Sequence, residues 1–257
     1  MILRRFTQHI KEQNWFAVGL DMMVVILGIF FGLQVSNWQG SLNEQRTAEE
    51  YLHRLDDDLQ ADLNNIIQRE IFWQQVSDYG VTALKYLEGD DEKFDEHWPF
   101  LLAIFQASQI SPFEVTDITY REIQQAGHLS LLKSQKLRQN LAEYYSFNDG
   151  IAALTLLKVN PPYRNYVRGK FPISVTDYIW TNCFQNSDFA KQKLIECTAP
   201  IPDESIYKIL VNIKSDQKVV ELLRSWHVTM QAALDLLPEE KEMVTSLLKM
   251  LSDELNE

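Results

Sequence analysis

The chain has 257 residues with 24 basic and 36 acidic side chains, a formal charge of −12. That length suits one domain or two, and an apolar share of 46% is enough for a packed core. So acidic a chain repels phosphate backbones, which excludes nucleic acid as an expected partner, and nine glycines and eight prolines exclude collagen-like or low-complexity character.

Residues 1–14 form a short basic, polar head with Arg4, Arg5 and Lys11. An apolar run of 21 residues follows from Trp15 to Val35, interrupted by Asp21 and Gln34. Crossing a bilayer takes about 20 apolar residues, so 15–38 is expected to be a transmembrane helix. Trp15, Phe16 and Trp38 stand near its ends, where aromatic rings favour the headgroup zone. The run closes in Gln-Val-Ser-Asn-Trp, a poor cleavage site for a signal peptide. Three basic residues precede the span, whereas only Arg46 and Arg54 follow it closely. The asymmetry puts the N-terminus in the cytoplasm and residues 39–257 outside it.

Ser41 and Glu44 fit a capping box, so a new helix is expected to start there; the alternative is one continuous rod. Leu52, Leu55, Leu59, Leu63 and Ile66 recur at helical spacing, weakening near Arg69 and too imperfect for a long coiled coil. Gly89 is the expected stop. Pro99 opens an apolar stretch to Ile110, and Asp117–Ala126 reads as a short helix closed by Gly127. Ser134 caps a longer helix reaching Val159, where Asn160-Pro161-Pro162 ends it. Residues 160–203 hold five prolines and both cysteines and read as a Pro-rich insertion, with short helices at Val175–Asn182 and Asp188–Glu196. Asp203 caps a helix to Lys214; Asp216–Leu237 and Pro238–Leu255 are the last two helices. Strand alternation is almost absent, so the expected fold is all-α.

Asp21 is the membrane functional candidate, since a carboxyl at membrane depth is costly and by default marks function. At about 100° per residue, Val25, Gly28 and Gly32 fall within roughly 40° of its direction, giving a helix-packing seam. Gly28 and Gly32 form a GxxxG pair, which lets a second helix approach closely. Two readings of Asp21 follow: it lies on a helix–helix contact, or it snorkels to cytoplasmic water from a shallow position.

Cys183 and Cys197 are the only cysteines; outside the cytoplasm they could form a disulfide, against the alternative of two buried thiols. Arg164, Arg168 and Lys170, interleaved with Tyr163, Tyr166 and Phe171, form the one basic–aromatic cluster, a candidate patch for an anionic ligand or lipid headgroups; a plain surface loop is the alternative. Glu50 and His53 make an ExxH unit near Asp56, Asp57, Asp58 and Asp62, but no second unit completes a carboxylate-bridged metal site, so a solvated acidic face is expected. The five histidines show no metal spacing, and no nucleophile or phosphate-loop motif is present. No metal, cofactor or catalytic residue is assigned.

Two stretches resemble a known family. In the first, Gly28, Gln34 and Asn37-Trp38 match the spacing of a Gly-Glu-Ile, aliphatic run, Leu-Gln-Ile-Asn-Asn-Trp pattern; Asp21 stands where that pattern has Glu, and Ser36 departs from its Asn. The second, residues 119–145, is similar to a Tyr-x-x-Leu, Gly, Leu-x-x-Ile-Lys, Leu-Arg, Tyr-Tyr pattern, with Ile123 for Leu. Both patterns are those of a family of uncharacterised bacterial single-span membrane proteins known as a domain of unknown function, which this chain resembles. The resemblance implies a bacterial inner-membrane protein with a periplasmic domain and implies no activity. Asp21 with its aliphatic run also looks like the single helix of proton-driven stator partners of the ExbD and TolR type. The expected function is therefore a non-enzymatic inner-membrane protein that binds a protein partner or forms a homo-oligomer; the alternative is a subunit of an ion-coupled complex using Asp21.

Overall fold

The computed structural model describes residues 15–89, 94–111, 115–150, 160–186 and 191–256. Eight α-helices carry the fold among them: α1 (Trp15–Glu88), α2 (Trp98–Gln106), α3 (Ile118–Gln125), α4 (Gln135–Gly150), α5 (Pro162–Arg168), α6 (Ile173–Asn182), α7 (Asp203–Lys214) and α8 (Gln217–Leu255). A 3₁₀ turn, His128–Leu131, joins α3 to α4, and a two-stranded ribbon, β1 (Phe184–Asn186) with β2 (Gln192–Leu194), lies between α6 and α7. The chain is all-α, as expected: a long helix with an apolar N-terminal stretch, followed by a helical domain.

The 74 residues of α1 form one rod, about 110 Å long at 1.5 Å per residue. The capping-box start at Ser41 is therefore corrected in favour of the continuous rod. No proline lies between Trp15 and Glu88, and the junction, despite Gly40, Ser41 and Asn43, carries Leu42, Glu44, Gln45, Arg46, Ala48, Glu49 and Glu50, all good helix formers. The rod ends where expected, with the Gly89 amide donating to the Lys85 carbonyl at 3.1 Å.

Beyond the junction α1 becomes the spine of the domain. Leu52, Leu55, Leu59, Asp62, Ile66, Arg69, Trp73, Val76, Gly80, Ala83 and Leu87 are all buried. Their spacing alternates three and four residues without a break. The seam thus does not fade at Arg69; it passes through Asp62 and Arg69. Helix α8 answers with the same alternation, from Val219 and Leu223 through Leu237 and Glu240 to Leu251 and Glu254. That repeat lets two helices lie side by side over many turns. The pair is antiparallel: Gln231 donates to Ser77, Lys241 reaches Glu70 at 3.6 Å and Arg224 reaches Glu88 at 2.6 Å. A Cβ on Gly80 would sit 3.1 Å from Nδ1 of His227, so glycine permits the close approach of α8 there.

Helix α8 runs through Pro238 as one 39-residue element, not the two helices expected from the proline. Proline removes one backbone donor and strains the preceding turn. Leu237 and Glu240, buried on either side of it, hold the helix against α1.

Shorter elements complete the core. Indole donors tie the end of α2 to both long helices: Trp73 Nε1 to the Ser111 carbonyl at 2.8 Å, Trp226 Nε1 to that of Ala107 at 2.9 Å. Helix α3 closes at Gly127, whose φ of 71° is a left-handed conformation natural to glycine. Ser134 caps α4 by accepting from the Leu137 amide at 3.1 Å. The expected extension of that helix to Val159 lies outside the described residues beyond Gly150.

The Pro-rich stretch is a series of helix starts. Pro161, Pro172 and Pro202 stand immediately before α5, α6 and α7. Fixed φ and a missing N–H cost little at such positions. The helix expected over Asp188–Glu196 is corrected in its described part, where Gln192–Leu194 pairs with Phe184–Asn186 as strand; residues 187–190 lie outside the described residues. The ladder runs on into Ile195, whose amide donates to the Cys183 carbonyl at 3.1 Å. Cys183 and Cys197 close the base of the ribbon as a disulfide, with Cα atoms 5.3 Å apart and an Sγ–Sγ distance of 1.96 Å.

Candidate functional site

The first 24 residues of α1 contribute none of the residues of the described hydrophobic core. Their large apolar side chains stand open, from Leu27 at 46% exposure to Phe16 at 81%. By length and composition this stretch can cross a membrane, and none of its most apolar window is buried. Asp21, Val25, Gly28 and Gly32 lie on one side of the helix, as the spacing requires. A Cβ on Gly28 or Gly32 would meet nothing within 4 Å, so this face is open to a neighbouring helix. Oδ2 of Asp21 is shielded from solvent and has no hydrogen-bond partner among the described residues.

The basic cluster is used differently from the expectation. Arg164 and Arg168 turn inward onto the polypeptide that follows α2. Arg164 Nη1 donates to the Ser108 carbonyl at 2.8 Å; Arg168 donates to Ser108 Oγ and Gln109 Oε1, each at 2.9 Å. The Arg168 guanidinium also lies 4.7 Å from the Phe105 ring centroid and 5.2 Å from that of Trp180. Burial pulls Arg164 down to about 10 and Arg168 to about 9. Lys170 is paired with Asp216 at 2.6 Å, and Tyr166 donates to the same carboxylate at 2.8 Å. These cations brace the domain and leave little for a headgroup; the aromatic interleaving that suggested a surface patch is the packing of that brace.

A second polar cluster lies within the long-helix seam. Asp62 is fully buried and accepts from the Thr116 amide and the Tyr144 hydroxyl, both at 2.8 Å. Burial raises its pKa above the ordinary carboxylate range, against the lowering effect of the two hydrogen bonds. The Tyr144 hydroxyl is pushed far up by burial and by the Asp62 charge beside it. One turn pair along α1, Arg69 Nε donates to Asn65 Oδ1 at 3.0 Å, and Glu240 on α8 is as deeply buried. The solvated acidic face expected over Asp56, Asp57, Asp58 and Asp62 is thus corrected at Asp62, which the seam takes inside, and reading by apolar spacing alone passes over this cluster. The three–four count, carried on regardless of residue type, reaches Asp62 and Arg69 directly.

Glu50 and His53 remain on an exposed face of α1. Among the described residues no group of three His, Cys, Asp or Glu side chains is placed to hold a metal ion. Comparison of the chain with protein-family models, with curated proteins and with solved structures finds no match. The fold itself defines a class: an all-α domain built on a helix whose free end is long and apolar enough to cross a membrane.

Proposed function

We propose that this chain is a single-span protein of the bacterial inner membrane that works by binding a protein partner or a second copy of itself. Residues 15–38 form the span, the N-terminus is cytoplasmic and the helical domain is periplasmic. The observation that carries the reading is the continuity of α1: a lipid-suited segment and the spine of a folded domain are one unbroken helix. A partner held on the seam of Asp21, Val25, Gly28 and Gly32 would thus be coupled mechanically to the domain. The basic head and the bonded cysteines support the orientation. Action through binding rather than catalysis is part of the proposal.

Cysteine cross-linking along the span in native membranes tests it. Cross-links should peak on the Gly28 face, and Gly28→Ile should reduce them; a peak on the Gln34 face overturns the seam. Alkaline phosphatase fused at Glu257 should be active and green fluorescent protein dark; the reverse pattern inverts the orientation.

The membrane-depth position of Asp21 and its shielded Oδ2 favour a second reading, a subunit of an ion-coupled complex in which Asp21 takes up and releases a proton. Asp21→Asn should then keep the cross-links and abolish the coupled activity; loss of the cross-links in that variant assigns Asp21 to packing instead.

A further inference from the structure

The domain carries a cleft of about 640 Å³ between α1, α2 and the segment that follows β2. Its floor is apolar, with Tyr79 from α1 and Trp98 and Leu102 from α2. One wall is the stretch Glu196–Ala199, anchored by the Cys183–Cys197 bond and by Trp98 Nε1 donating to the Cys197 carbonyl at 2.7 Å.

Three features of this cleft agree. First, its rim carries Asp95, Glu96 and Glu196, all exposed and none in an ion pair or hydrogen bond among the described residues. Asp203, at the same rim, is instead satisfied by the His97 amide at 2.9 Å and His97 Nδ1 at 2.6 Å. Second, the floor offers apolar and aromatic surface to a side chain. Third, the stretch Glu196–Ala199 belongs to no helix or strand, and the amides of Cys197, Thr198 and Ala199 find no backbone partner among the described residues, so main-chain donors are open to a neighbour.

We infer that this cleft docks an extended, basic segment of a protein partner. Apolar side chains of that segment lie on Trp98 and Leu102, its Lys or Arg side chains face the acidic rim, and its main chain adds alongside Cys197–Ala199. Strand addition gives affinity through backbone hydrogen bonds, and alternating side chains give the selectivity. The rim repels phosphates, which excludes nucleic acid and anionic headgroups. Tyr79 also lies about 60 Å beyond Trp38 along α1, out of reach of the bilayer. The inference deepens the partner-binding reading and rests on it.

The test uses the full chain in phosphatidylcholine nanodiscs and the fluorescently labelled peptide Lys-Leu-Lys-Leu-Lys-Leu-Lys, followed by anisotropy. Saturable binding is expected, weakening with added salt as the rim charges are screened. The triple variant Asp95→Asn, Glu96→Gln, Glu196→Gln should bind roughly ten-fold more weakly, as three modest charge contacts together imply. Glu239→Gln with Glu242→Gln, on the exposed side of α8, should leave binding unchanged. A probe N-methylated at alternate amides should lose affinity. Absence of saturable binding, equal binding of the Glu-Leu counterpart, an unchanged triple variant or an unaffected N-methylated probe overturns the proposal. Helix cross-linking reads a different region. Failed peptide binding with cross-links intact removes the cleft alone, and lost cross-links with peptide binding intact remove the span assembly alone.

Discussion

Two stretches of the same helix behave as if written for different solvents. From Trp15 to Trp38, α1 is apolar around most of its circumference and most of its apolar side chains stand open. From Tyr51 to Glu88, most apolar residues keep to one side, which is buried chiefly under α8 and α2, and Ile71 and Val81 are the large apolar residues left exposed. Backbone hydrogen bonding is alike in both, so the arrangement of side chains carries the difference. An all-round apolar surface fits lipid; a striped one fits a protein neighbour with water beyond it. Each stretch also holds an out-of-place acid. Asp62 has two donors within 2.8 Å, supplied by the domain; Asp21 has no hydrogen-bond partner among the described residues for Oδ2.

The sharpest test of this contrast applies one change to both stretches. Leu59 is fully buried and Leu33 is 58% exposed. Leu59→Ala should cost about 2–5 kcal/mol of domain stability, because it loses transfer energy and opens a cavity in the seam. Leu33→Ala should stay within about 0.5 kcal/mol, as at any unpacked position. Denaturant unfolding of the full chain in nanodiscs measures both. Similar losses at the two sites would mean that the first stretch is packed against the domain.

The disulfide comes next in size. Cys183 and Cys197 close a loop with a separation of 14 residues, worth about 3 kcal/mol in the chain-entropy account. Cys183→Ser with Cys197→Ser should lower stability by roughly that amount and loosen the ribbon. Hydrogen exchange should rise around Gln192–Leu194 and remain slow along Leu52–Leu87. Equal loss of protection in both places would show that the ribbon and the long-helix pair unfold together.

The buried acid gives a pH-dependent test. Asp62→Ala leaves the Thr116 amide and the Tyr144 hydroxyl without their acceptor, a cost of about 1–3 kcal/mol. Asp62→Asn keeps an acceptor and cannot ionise. Because burial raises the folded pKa of Asp62, the native state holds that proton to higher pH than the unfolded chain does. The associated stability is full below the unfolded value of about 3.9 and is lost as pH rises through the folded value. The stability of Asp62→Asn relative to the natural chain should therefore climb across that interval and then level off. A difference that is flat with pH would show that Asp62 titrates as an ordinary carboxylate.

Much of the fold can be read from the residues, and what cannot be read has physical causes. The apolar stretch of α1 announces itself by length, Gly89 and Gly127 by their position after apolar patterns, and Ser134 as a cap; Asp203, expected to cap α7, is instead its first helical residue behind Pro202, and the capping aspartate is Asp216 before α8. Asp216 accepts from the Lys218 amide at 3.2 Å, as an N-cap does. The passage of α8 through Pro238 could not be read, since a local penalty is outweighed by packing on both sides. Nor could the inward turn of Arg164 and Arg168, which depends on carbonyls and amides more than 50 residues earlier in the chain. The ribbon was hidden because a stretch of strand with a single ladder partner has no periodicity of its own. The acidic rim of the cleft collects residues from three separate segments, so nothing local marks it.

The smallest effect on stability should come from the junction itself. Residues 39–50 connect the two stretches, and Gly40 and Ser41 are exposed within a continuous helix. One alanine inserted between them keeps the helix, lengthens it by about 1.5 Å and turns everything before it by about 100° relative to the domain. If this segment only transmits, domain stability should change by less than about 0.5 kcal/mol. The Gly28 face, however, would swing away from its former bearing on the domain. In a homo-oligomer joined through the span, cross-links at Gly28 should persist. Cross-links between domains of adjacent copies, introduced at exposed sites such as Asp57, should shift to a different face. Unchanged domain cross-links would mean that the helix bends or unwinds at the junction, and that the two stretches of α1 are not mechanically one. A loss of more than about 1 kcal/mol would instead place residues 39–50 inside the packed domain, moving the boundary between the two environments toward Trp38.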